Sequence, residues 1–140
     1  RGVFIATPDE DFVRDLYLAR AAIEPAAARY GTFPDPSELI RLTESAALSD
    51  APRPLLNQQF HRQLVAGLGS ATLDRTMSHL LARMRVTFLL TLERYPHIHD
   101  DHVQSNIDLA QLIARGERDA AADACRADLM RAMNAILRVL

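Results

Sequence analysis

A single cysteine among 140 residues, Cys125, cannot form an internal disulfide, which fits a reducing compartment, and the chain reads as cytoplasmic. No apolar run approaches the ~20 residues needed to span a bilayer, and the start lacks the basic-then-apolar order of a signal peptide. The chain therefore reads as soluble, with no membrane partner. An excess of one charge is missing too: 16 Lys+Arg stand against 18 Asp+Glu, for a net charge of -2. Without a global basic field, this segment is not what grips nucleic acid. The signatures of catalysis are also absent. There is no Gly-rich phosphate loop, no Ser or Cys nucleophile at a suggestive distance from a base, and no His-Glu-x-x-His pair. The inward glutamates with Glu-x-x-His motifs that a di-iron bundle requires are lacking as well. The sequence reads as a non-enzyme.

What is present is helical patterning, with 49% hydrophobic residues to build a core. Thr7-Pro8-Asp9-Glu10 has the order of a capping box with proline at the first helical position, and it predicts a helix through Tyr30 that ends at Gly31. The spacing of Phe12, Leu16, Ala19, Ile23, Ala27 and Tyr30 assigns that helix an inward stripe, which Pro25 should bend. Asp35-Pro36-Ser37-Glu38 opens a second helix to about Leu48, and a third runs from about Pro54 to Leu68. Ser70 caps a long fourth helix reaching Tyr95-Pro96, Asp100 or Asp101 caps a fifth that ends at Gly116, and a sixth runs to Leu140. Short links between six helices predict an all-α antiparallel bundle, here with a central polar pocket. Residues 7–140 form that domain. Residues 1–6, with Gly2-Val3-Phe4-Ile5 like the end of a strand, read as the remnant of something upstream.

The pocket is inferred from polar residues that interrupt the apolar stripes. Asn57 and His61 lie one turn apart on the third helix; Asn106 lies in line with Leu109 and Ile113, and Asp128 in line with Cys125 and Ala132. A buried carboxylate needs a donor, a cation or water, and His61 is the first candidate partner of Asp128. Two readings stay open for these four: a polar network holding helix register, or a ligand or ion site built by three helices.

Asp15-Leu16-Tyr17-Leu18-Ala19-Arg20-Ala21-Ala22-Ile23-Glu24-Pro25-Ala26-Ala27-Ala28 closely resembles the first-helix signature of the FadR-type effector domain of GntR-family transcription regulators. Asn57-Gln58-Gln59-Phe60-His61 stands where that family has Asp, two variable residues and Phe-His, and Ala114-Arg115-Gly116-Glu117 resembles its turn between the last two helices. The resemblance covers nearly the whole chain. It implies a homodimer that binds a small carboxylate effector and regulates a winged helix-turn-helix DNA reader, whose last strand Arg1-Gly2-Val3-Phe4 resembles. It also implies a divalent metal, zinc, nickel or manganese, at positions that fall on Asn57, His61, Asn106 and Asp128. Only His61 keeps the usual type. Amides and a lone carboxylate are weaker donors for such ions, so a metal-free site is the reading taken.

Arg20 and Arg85 are candidate clamps for an effector carboxylate, because a guanidinium matches it as a planar fork. Arg20 also stands four residues before Glu24, where a surface ion pair would account for it equally well. Thr87 and Thr91 either line the cavity or bond back to their own helix. The run Pro96-His97-Ile98-His99-Asp100-Asp101-His102 reads as a helix-capping loop with solvated histidines, with His102, one turn before Asn106, as an alternative replacement ligand. A ligand-free helical dimerisation scaffold is the alternative function, and it requires a filled interior near His61.

Overall fold

The computed structural model describes residues 7–48, 53–98 and 100–140. Among them the fold is all helical: α1 Glu10–Tyr30, α2 Ser37–Leu48, α3 Arg53–Ala66, α4 Ala71–Thr91, α5 Asp100–Ala114 and α6 Arg118–Leu137. The strand-like remnant expected in residues 1–6 lies outside the described residues, as does His99.

Local chemistry sets the helix ends, with a few shifts from expectation. The cap of α1 is Asp9, not Thr7: its carboxylate accepts from the Phe12 backbone N–H at 2.8 Å, while Glu10 and Asp11 follow in the first turn. A carboxylate beside the positive end of the helix dipole is the stronger acceptor there. Helix α1 continues through Pro25. Ser70 caps α4 as expected, accepting from Leu73 N–H. Gly69 and Gly116 carry the chain through φ +66° and +75°, the left-handed region that other residues enter at a cost. Helices α3 and α4 end a few residues short of expectation, because residues 67–68 and 92–94 form turns.

Helix α1 packs most extensively on α6, α2 joins α3 to α5, and α4 leans on α3 and α1. The first and last helices run antiparallel. Arg118, at the start of α6, donates to the Arg29 and Gly31 carbonyls at the end of α1. The same guanidinium lies over the Phe33 ring. That ring is wedged where a Cβ at Gly31 or Gly67 would stand within 2.9 Å of it, so both positions exclude larger residues. The Thr32 N–H reaches the Gly67 carbonyl at 2.7 Å and ties the α1–α2 turn to the end of α3. Leu16, Tyr17, Phe60, Leu64, Met77, Met84 and Ile136 fill the core. Ile98, fully buried, anchors the loop between α4 and α5 and leaves His97 outside.

Candidate functional site

The bundle brings charged groups into its centre from α1 and α3. Arg20 and Glu24 are one helical turn apart on the buried face of α1, with Arg20 Nε 2.5 Å from Glu24 Oε1. Glu24 is fully buried, and its second oxygen, Oε2, lies 2.7 Å from His61 Nδ1 on α3. Arg20 Nη2 approaches the same ring nitrogen at 3.3 Å, and its guanidinium also lies over the Tyr17 ring. Burial alone would raise the Glu24 pKa, but the Arg20 charge and the His61 contact outweigh it and hold the group at about 2. Burial pushes the Tyr17 hydroxyl and the Cys125 thiol well above their ordinary values. Cys125 is thus an inert core thiol.

The remaining polar candidates form separate groups. Asn106 Nδ2 donates to Asn57 Oδ1 at 2.6 Å, joining α5 to α3. The cavity beside that pair, lined also by Phe60, Leu42 and Val103, holds about 10 Å³, room for one water at most. Asp128 sits at the edge, its side chain 17% exposed, 2.8 Å from Arg131 and 3.8 Å from His102 Nδ1. Burial raises the Asp128 pKa, but His102 and Arg131 overcome that and leave it lowered. The His102 Nε2 atom is buried without a partner.

Three sequence readings need correction. His61 is engaged by Glu24 and Arg20, and Asp128 by His102 and Arg131, so the expected His61–Asp128 pair does not form. Arg20 and Glu24 do not make a surface pair, since side-chain exposure is 5% and 0%. Arg85 is exposed and donates to Gln58 Oε1 at 3.1 Å in an outer cleft of about 250 Å³ between α3 and α4; it does not join Arg20, Asn57, His61 or Asn106. Thr91 bonds back to the Thr87 carbonyl, and the Thr87 hydroxyl is buried without a partner.

Glu24 is the residue sequence reasoning passed over as a site member. The signal was an Arg and a Glu one turn apart on a face shared with Val13, Tyr17, Ala27 and Ala28, all buried.

The four positions to which a metal was carried over do not fit one. The amides of Asn57 and Asn106 bond each other, Asp128 is neutralised on another edge, and His61 lies against a guanidinium cation. Among the described residues no three His, Cys, Asp or Glu side chains converge as a ligand set. The family model described as the FCD domain matches residues 15–131. Neither curated proteins nor solved structures yield a significant match.

Proposed function

The chain belongs to the FCD domain family, the C-terminal effector domain of FadR-type GntR regulators, and is thus a ligand-sensing regulatory domain; from that premise we propose that it binds a small organic acid in the bundle interior, without a metal. The observation that carries this reading is the buried group of Arg20, Glu24 and His61. An ion pair shut away from water contributes little more than apolar packing of the same volume would. Its use here is recognition: guanidinium, imidazole and the neighbouring amides provide the hydrogen bonds a carboxylic acid needs.

The tight interior supplies the mechanism. A void of about 10 Å³ beside Asn57 and Asn106 admits no acid, so binding must part α3 from α5 or α2. A ligand with affinity for the parted state alone shifts the population toward it. In a homodimer, that shift changes the spacing of two upstream winged-helix readers, and DNA contact belongs to those readers. Leu18, Leu89 and Leu90, exposed on α1 and α4, support pairing with a second copy. No helix among the described residues is long and apolar enough to cross a membrane. The domain performs no catalysis in this reading.

The filled interior also favours a second reading, a ligand-free dimerisation scaffold. Thermal melts against a panel of carboxylic acids, with zinc, nickel or manganese and with chelator, separate the two. A sensor at 100 times Kd gains about 2.7 kcal/mol, roughly 8 °C in a domain of this size, with or without chelator. A scaffold responds to none of the acids. A shift that needs the metal would refute the metal-free site.

A further inference from the structure

His61 has two ring nitrogens, and only one is committed. Glu24 accepts from Arg20 at Oε1, as an ionised carboxylate does, and presents Oε2 to His61 Nδ1 at 2.7 Å. A lone pair on Nδ1 would set two acceptors against each other at that distance, so the ring proton resides on Nδ1 and the 3.3 Å approach of Arg20 is not a hydrogen bond. In the neutral ring, Nε2 then carries the lone pair. It makes no hydrogen bond among the described residues, it is not among the buried unpartnered atoms, and the His61 side chain keeps 10% of its surface accessible. One turn away on α3, Asn57 uses its oxygen to accept from Asn106, which leaves its amide hydrogens as donors.

We infer that Glu24 is a positioning residue that holds His61 in the Nδ1–H tautomer, so that Nε2 and the Asn57 amide together select a hydroxylated carboxylic acid. The acid's hydroxyl donates to Nε2 and its carboxylate accepts from Asn57. A bare carboxylate would meet an acceptor at Nε2, with nothing to donate. The inference rests on the sensor reading above and narrows its ligand class.

Two measurements test it. A long-range nitrogen–proton correlation spectrum of the unliganded chain assigns the His61 tautomer without any substitution, and Nδ1–H is expected; Nε2–H would overturn the role of Glu24. Calorimetry with matched acids, 2-hydroxypropanoate against propanoate and malate against succinate, should show the hydroxylated member binding at least tenfold tighter. Glu24→Gln should release the tautomer to a mixture and erase that preference. Equal binding of both members overturns the hydroxyl selection, and binding that requires added zinc and disappears with chelator would give Nε2 to a metal. If no acid binds, the sensor reading itself fails, a result distinct from either.

Discussion

Glu24→Gln removes one charge and almost no volume from the centre of the bundle, so its cost can be worked from the structure. Glu24 is held at about 2, against an ordinary 4.5. At about 1.4 kcal/mol per unit, that difference corresponds to roughly 3 kcal/mol of folding stability. The substitution also leaves the Arg20 guanidinium buried without its counter-charge, for which losses of about 3–5 kcal/mol are typical. The two routes agree, and the loss is a large part of the total stability of a domain. The sign of the pH dependence follows. A carboxyl whose folded pKa is depressed stabilises fully above its unfolded value and loses that contribution as pH falls through 4.5 toward 2. The gap between wild type and Glu24→Gln should therefore be about 3–5 kcal/mol at pH 7 and narrow by about 2 kcal/mol at pH 3. Urea unfolding followed by helical circular dichroism measures both values. A gap below about 1 kcal/mol at pH 7, or one that stays constant down to pH 3, would refute the buried-pair argument. The double variant Arg20→Met/Glu24→Met should recover most of the loss, since no charge is left stranded.

Three further outcomes are expected. Asn106→Ala strands the Asn57 amide oxygen and should cost about 1–3 kcal/mol by urea unfolding, whereas an unchanged midpoint would mean the pair is not formed in solution. Thr87→Val replaces a buried hydroxyl that has no partner, so stability should stay level or rise by about 1 kcal/mol; a loss above that size would reveal a bond the structure lacks. Cys125, 3% exposed with its thiol pKa raised by burial, should react with a disulfide reagent only on unfolding, and rapid labelling of the native chain would contradict its placement in the core.

The helices were legible because their ends are marked by residues that act locally, such as Ser70 at the start of α4 and Gly116 after α5. The inward face of α1 was legible only in part. Periodicity picks out Leu16 and Ala27, fully buried, and Phe12, Ala19 and Ile23, which pack against the core, yet Tyr30 is 71% exposed and the buried line also runs through Val13, Tyr17, Arg20 and Glu24. Two charged residues occupy core positions on that line, and a test that counts apolar residues rotates away from them. Partner choice was equally hidden. His61 could have met Asp128 or Glu24 by helical spacing alone, and only the docking of α3 on α1, 37 residues apart in sequence, decides between them. Arg85 follows the same logic in reverse: Met84 and Thr87 take the buried positions of α4, which turns the guanidinium outward.

The pairing of α1 with α6 has a consequence for how the chain acquires its site. The helix that carries Arg20 and Glu24 is the first of the six, and the surface that covers it is the last. During synthesis α1 leaves the ribosome before the helix it packs on most extensively, and the side of α1 that faces α6 stays wet until Arg118 and the residues after it emerge. Closing a loop of this length is slow relative to forming neighbouring helix contacts. A chain interrupted before α6 can still dock α3 on α1 and join His61 to Glu24, but it leaves the α6-facing side of α1 in solvent, so the buried centre is complete only with the last helix.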